Sequence, residues 1–343
     1  VFLAADLLRS RPVVVKQLTD DAMANDELRR RFLSEAETLA GLSHPNIVRV
    51  LDYGASLDER PFLVMEPLRG ETLGALLARR PHQPVELSLM IVTEAAKGLA
   101  AAHEQQVFHR DVKPDNLFLL GPRGAPTGVK VIDFGMAKLP RSNGSSGVHT
   151  VLGTIEYMAP EQVMADPVDA RTDVYGLGIL LFRLLTAHLP FEAPLGLDLL
   201  SHQLFSPVPP ASWLNDELDP RLERVVMRAT RKHPDNRHAT MAELLADLEW
   251  ARRDAASDPP AESPVLRVDP DVYEPRNPKG REVAELLAAR YQTIAPAAYL
   301  SAQEAALSLM NFRTSPPGSL DCPEPEPSSA LDSGLVESPK RDA

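Results

Sequence analysis

Cysteine is almost missing from this chain. Its single copy, Cys322, cannot close an internal disulfide, which excludes a disulfide-stapled secreted scaffold and points to a reducing compartment, the cytoplasm. Long hydrophobic runs are missing as well. No stretch reaches the roughly 18 uninterrupted apolar residues a membrane span needs, so no transmembrane segment is expected. No signal-peptide pattern opens the sequence. Positive charge is in deficit: 36 Lys and Arg stand against 48 Asp and Glu, a net charge of −12. That balance argues against a nucleic-acid-binding surface as the main activity. The first residue is Val1 rather than Met, so the chain reads as a fragment or a processed product.

What is present is ordinary for a globular protein. The 343 residues are 44% hydrophobic and 24% charged, enough for a sizeable core in one large domain or two modest ones. Composition shifts near residue 253. Residues 253–343 hold 13 of the 32 prolines and 15 acidic against 9 basic residues. Such a Pro-rich acidic tail is expected to be mostly disordered, because it offers too little apolar surface to offset chain entropy. Within it, residues 280–311 carry Val283, Leu286, Leu287, Leu300, Ala305, Leu307 and Leu309. They predict one or two short amphipathic helices, broken at Pro296.

Before residue 253 the pattern changes once. Residues 1–66 contain short β-rich runs, at Val1–Ala5, Pro12–Leu18, Ile47–Tyr53 and Phe62–Glu66. One helix interrupts them at about Asp26–Gly41, with Leu28, Phe32, Leu33, Ala36, Leu39 and Ala40 at helical spacing. From about residue 71 the chain is mostly helical. Glu86–Gln105 and Asp173–Ala187 are its longest apolar stretches, the second apolar almost all round, as in a helix buried in a lobe. The fold class is therefore α+β and bilobal: a small β-rich lobe over 1–69, a larger helical lobe over 70–252, and the tail. The segment Glu66–Gly70 lies at the junction, where ligand clefts form.

The most informative run is His109-Arg110-Asp111-Val112-Lys113-Pro114-Asp115-Asn116, with Asp133-Phe134-Gly135 beginning 17 residues after it. It contains a carboxylate able to receive a hydroxyl proton, a lysine to offset phosphate charge, and two hard oxygen ligands suited to Mg²⁺. Those are the parts that phosphoryl transfer to an alcohol requires. Alone, Asp-Phe-Gly is weak and a lysine at a strand end is usually just solvated. The order and spacing of the set are strong.

On these residues the chain resembles the eukaryotic-like Ser/Thr protein kinases of bacteria. The landmarks run from Val13-Val14-Val15-Lys16 through Val64-Met65-Glu66, the two motifs above, Gly153-Thr154, Ala159-Pro160-Glu161 and Asp173-Val174-Tyr175 to Arg237. The resemblance implies ATP and Mg²⁺ as cofactors and Ser/Thr hydroxyls of proteins as substrates. By it, Lys16 would hold the α- and β-phosphates, paired with Glu35, with Glu37 as the alternative. Asp111 would accept or orient the substrate hydroxyl, and Lys113 would sit beside the transferring phosphate. Asn116 and Asp133 would bind the metal. Met65 would back the adenine pocket, Glu66 and Leu68 would read the adenine edge through their backbone, and Val1, Val14 and Phe118 would sandwich the base. His109 would pack beside Phe134 with Leu39 and Val50 rather than react. Glu161 with Arg237, and Asp173 with the catalytic-loop backbone, would be structural supports.

Residues 133–161 read as an activation segment with a small, polar middle. The resemblance implies that Arg110 grips a phosphate placed on Ser145, Ser146 or Thr150, added in trans by self-association of two copies. Thr154 would hydrogen-bond Asp111 and Lys113. The family's Gly-rich phosphate loop is expected immediately before Val1 and is not in this sequence. If Val1 is the true start, ATP affinity and turnover are expected to drop severely. A docking scaffold of the pseudokinase type and a small-molecule kinase are the competing readings. Retained Lys16, Asp111, Asn116 and Asp133 argue against the first, and the 153–161 segment argues against the second.

Overall fold

The computed structural model describes residues 1–19, 23, 25–134, 155–193, 195–253, 273–278, 280–289 and 291. Residues 1–300 form one compact unit and 301–343 a second, the latter outside the described residues. The first unit opens on a four-stranded antiparallel sheet, β1 (Phe2–Asp6), β2 (Arg11–Gln17), β3 (Val50–Ala55) and β4 (Pro61–Met65), in the order β1-β2-β4-β3. β-Branched residues Val13 to Val15 suit β2, which pairs on both sides. Its register sets Val14 opposite Met65 and Lys16 opposite Leu63.

Helix α1 (Asp26–Ala40) lies against β3 and β4. It buries Phe32, Ala36 and Leu39, a stripe at i, i+4, i+7. Leu33 is only half-buried and Ala40 is exposed, so the stripe is narrower than the sequence pattern. A second antiparallel sheet, β5 (Gly70–Thr72), β6 (Leu117–Leu120) and β7 (Gly128–Val131), belongs to the helical lobe. Helix α2 (Leu73–Arg79) follows β5, its N-terminus capped by the Thr72 hydroxyl, which accepts from Ala75 N–H. Helix α3 (Val85–Glu104) runs through the lobe with Leu89, Val92, Ala96 and Leu99 buried.

Helix α4 (Pro160–Val163) is a single turn. Helix α5 (Ala170–Thr186) is buried along nearly all its length, in agreement with its all-round apolar sequence; only Ala170, Arg171 and Arg183 fall outside the buried set. Helices α6 (Gly196–Phe205), α7 (Pro220–Ala229) and α8 (Met241–Arg252) complete the lobe. α3 packs on α5 and α8, and α5 on α7.

The chain just before β3 is joined to the second sheet. Ile47 bridges Val131 in parallel, Val48 N–H donates to Val131 O at 3.0 Å, and Val131 N–H donates to Asn46 O at 2.8 Å. Lys130 Nζ contacts the Glu66 carboxylate at 2.7 Å and donates to Ile47 O at 2.9 Å. The junction between lobes is therefore a hydrogen-bonded seam.

Part of the region expected to carry short amphipathic helices, 280–311, is described; its Leu300, Ala305, Leu307 and Leu309 lie outside the described residues. Residues 280–289 are helical and rest on the helical lobe. The buried face is Ala284 and Leu287, while Val283 and Leu286 point to solvent. The reason is tertiary: Met164 and Leu204 cover the apolar face, and Asp166 takes the backbone N–H groups that precede the helix.

Candidate active site

The catalytic-loop run enters β-structure only after Asn116. Pro114–Asn116 form one 3₁₀ turn, and Leu117 then starts β6. Proline at the first turn position is preset for that geometry. The loop is held from beneath by Asp173 in the first turn of α5. Its two carboxylate oxygens accept from His109 N–H at 2.8 Å and Arg110 N–H at 2.7 Å. His103 Nε2 lies 2.7 Å from the same carboxylate. Arg110 sits at φ 62, in the left-handed region, which a non-glycine residue keeps only when its surroundings hold it there.

His109 is fully buried, and its hydrogen bonds fix its tautomer. Nε2 faces the Ile132 carbonyl at 3.0 Å, which can only accept, so Nε2 carries the proton. Nδ1 accepts from Asp111 N–H at 3.2 Å. Burial also pushes its pKa down, so the ring is neutral. Its ring meets Phe134 at a centroid distance of 4.8 Å. One imidazole thus ties the backbone of Asp111 to the strand end that carries Asp133.

The chemistry-bearing side chains lie together. Asn116 Nδ2 donates to Asp111 O at 2.7 Å and to Asp111 Oδ2 at 3.1 Å. Lys113 Nζ is 3.1 Å from Asp111 Oδ2. Ile132 N–H donates to Asn116 O at 2.9 Å, which brings Asp133 alongside. Lys16 Nζ, from β2 of the other lobe, donates to Asp133 Oδ1 at 2.7 Å. Asp133 has φ 52, a second strained backbone position at the same place. Two cations, two carboxylates and one amide therefore lie on adjoining stretches of chain: the loop before β6, the residues after β7, and β2. Glu156, half-buried on the next segment, has its carboxyl pushed up by burial, against the pull of Arg183 and Lys113.

Around the cleft, Met65 is buried and its strand partner Val14 is half-buried. Phe118 on β6 is half-buried, whereas Val1 is largely exposed. Glu66 N–H donates to Arg49 O at 3.0 Å, and its side chain accepts from Arg49 N–H at 2.8 Å. Leu68 packs at the edge of the core. Glu35 is on α1, but its side chain lies outside the described residues; Glu37 on the same helix is exposed. Ser145, Ser146, Thr150 and Thr154 also lie outside the described residues. Arg110 has an exposed side chain.

Whether the residues present suit Mg²⁺ follows from the donor set. Among the described residues no group of three His, Cys, Asp or Glu could cage a metal. Asn116 and Asp133 offer one amide and one carboxylate oxygen. That is the sparse hard-oxygen set Mg²⁺ uses when phosphate oxygens and water complete its shell. The donor set fits.

Sequence reasoning missed one connection. Gln162 on α4 donates from Nε2 to Arg110 O at 2.8 Å, and its Oε1 accepts from Ala159 N–H at 3.1 Å. α4 is thereby fastened to the catalytic loop. Beside it, Arg237 donates to both Glu161 oxygens at 2.8 Å, and Thr172 Oγ1 adds a third bond at 2.8 Å. The sequence signal for Gln162 was only its place after Ala159-Pro160-Glu161.

The model of the protein kinase domain family matches residues 1–248. A probable serine/threonine-protein kinase of Clostridium perfringens is 37% identical over 245 residues, covering 71% of this chain and 35% of the relative. Serine/threonine-protein kinase PknB of Mycobacterium leprae is 36% identical over 277 residues, covering 79% and 43%. The chain thus spans less than half the length of these curated relatives. Among solved structures, the PknI kinase domain of Mycobacterium tuberculosis superposes with a TM-score of 0.57 at 29% identity, covering 73% of this chain and 89% of that one. The cleft and the comparisons agree: this chain belongs to the protein kinase family, among the eukaryotic-like Ser/Thr kinases of bacteria.

Proposed function

We propose that the chain transfers the γ-phosphoryl group of ATP to serine or threonine hydroxyls of proteins. The observation that carries this reading is the Asp111, Lys113 and Asn116 cluster set beside the Lys16–Asp133 pair. Asp111 takes the proton of the attacking hydroxyl, or orients that hydroxyl. The hydroxyl oxygen bonds to the γ-phosphorus as the bond to the β-phosphate oxygen breaks, and ADP leaves. Lys113 offsets charge on the transferring group, and Lys16 offsets it on the α- and β-phosphates. Asn116 and Asp133 would hold Mg²⁺, which supplies charge neutralisation between the phosphates. The adenine would enter between Val14, Phe118 and Val1, backed by Met65, and read by the backbone of Glu66 and Leu68.

Glu35 as the partner of Lys16 belongs to the same proposal. So does phosphate capture by Arg110 from Ser145, Ser146 or Thr150, with Thr154 supporting Asp111 and Lys113. Mass spectrometry after incubation with ATP tests that part; an unmodified 141–150 peptide in an active enzyme ends it. No helix among the described residues is long and apolar enough to cross a membrane. We place the chain in the cytoplasm on its single cysteine.

The experiment is label transfer from γ-labelled ATP and Mg²⁺ to a generic basic protein, with Asp111→Asn as the control. Transfer by the parent, and a fall of about 10²–10⁴-fold in the variant, supports the reading. Equal transfer by both, or none by the parent, overturns it.

A further inference from the structure

The family match ends at residue 248, yet residues 273–291 are built onto the lobe. Their attachment is concentrated on Asp166, just past α4 and buried. Its carboxylate accepts from Tyr273 Oη at 2.7 Å, Arg276 N–H at 2.8 Å, Asn277 N–H at 3.1 Å and Asn277 Nδ2 at 2.5 Å. Asn277 Nδ2 also donates to Met164 O at 2.9 Å, and its Oδ1 accepts from Gly280 N–H at 2.6 Å. Tyr273 N–H donates to Leu204 O at 3.2 Å, at the end of α6. Apolar packing follows the same line: Ala284 and Leu287 lie with Met164 and Leu204, and the Tyr291 ring meets His202 and Phe205. A Cβ on Gly280 would come 2.9 Å from Asn277 Nδ2 and 3.1 Å from Met164 O, so a side chain there crowds the Asn277 contacts.

We infer that residues 273–291 are a clamp on α4 that positions the catalytic loop. The path is short. The segment grips Met164 and Asp166 at the C-terminal end of α4. The same turn holds Gln162, whose amide binds Arg110 O, and Arg110 precedes Asp111. At the other end of the turn, Glu161 is locked to Arg237. With both sides gripped, α4 has one place to sit, and the loop's left-handed Arg110 is held from its carbonyl as well as its N–H. Asp166, Tyr273 and Asn277 are positioning residues; none reaches the cleft. The catalytic consequence rests on the kinase reading above, while the clamp itself does not.

The test uses the whole chain with substitutions in the segment only, Asn277→Ala and Gly280→Val, and Asn277→Gln as the conservative variant. Hydrogen–deuterium exchange is followed at 159–166 and 280–289, alongside kcat and KM for ATP and a protein substrate. Asn277→Ala is expected to raise exchange at both segments about tenfold, on the loss of three part-buried side-chain hydrogen bonds. It is expected to lower kcat with KM for ATP unchanged. A synthetic peptide of residues 270–295 added in trans is expected to restore kcat. Fast exchange at 280–289 in the parent overturns the clamp, and so does release of 280–289 without change at 159–166. Should the parent transfer no phosphate, the kinase reading falls, and the exchange data still decide whether α4 is clamped.

Discussion

Two side chains that never touch a substrate carry much of the site. His109 braces two backbone groups, Asp111 N–H and Ile132 O, through the two nitrogens of one neutral ring. His109→Phe keeps the ring contact with Phe134 and orphans both partners. The expected cost is about 1–3 kcal/mol for each buried group left unsatisfied, read as a lowered urea midpoint with unchanged slope. Arg237 is the second. Its guanidinium and the Glu161 carboxylate are both buried, so Arg237→Ala leaves a charge inside the lobe answered, among the described residues, by Thr172 Oγ1. Breaking one side of such a pair costs about 3–5 kcal/mol. Lys16 and Asp133, by contrast, are partly exposed, so Lys16→Ala is expected to leave the melting temperature nearly unchanged while abolishing transfer. The supporting roles of Arg237 and Asp173 were legible through the family resemblance, which carries their distant partners with it. Gln162 and Asp166 were not, since each depends on a contact 52 to 111 positions away that no local pattern encodes.

Among the elements, α3 and α4 matter most to the site. α3 runs past the interlobe seam with Gly98 against Asn46, whose side chain donates to Glu94 on α3 at 2.7 Å and to Val129 O at 2.9 Å. A Cβ at Gly98 would lie 2.7 Å from Asn46 O, a backbone atom that cannot swing away. Alanine there gains about 1 kcal/mol of helix propensity. It loses about 1–3 kcal/mol to overpacking. The clash wins, and Gly98→Ala is expected to destabilise the protein by up to about 2 kcal/mol, measured by chemical denaturation. Periodicity gave the first sheet, α1, α3 and α5 to within a few residues, because each buries a single face or, for α5, nearly all of its faces; it gave neither the single turn of α4 nor the short strands β5 to β7. The helix at 280–289 shows the limit of that signal. Its sequence offered Val283, Leu286 and Leu287 as one apolar patch, but the buried line runs through Ala284, Leu287 and on toward Tyr291. Which side faces inward was set by Met164 and Leu204, the nearer of them 80 positions before Ala284.

For the molecule as a whole, acid sensitivity follows from burial. Burial pushes the imidazoles of His109, His202 and His238 down. In the unfolded chain each takes up a proton at about pH 6.5; in the folded chain uptake waits for lower pH. Their contribution is therefore complete above about pH 6.5 and is lost as pH falls through the window below it. The side-chain hydrogen bond from Arg221 holds the Asp219 carboxyl below its ordinary range, and the Ala239 N–H does the same for Glu243. Those groups add a further loss below about pH 4. Melting temperature against pH should be flat above about pH 7 and start to fall near 6.5; a rise on acidification from 7 to 5 contradicts the assignment.

The central claim is that Lys16 and Asp111, from different lobes, act as one unit in phosphoryl transfer. Groups that act together lose nearly everything when either is removed, and little more when both are. The direct measurement is the initial rate of label transfer from γ-labelled ATP by the whole chain as parent, Lys16→Ala, Asp111→Asn and the double variant. The expected result is a measurable parent rate, two crippled single variants, and a double variant no slower than the slower single. Single variants that retain the parent rate, or losses that multiply in the double variant, would contradict it.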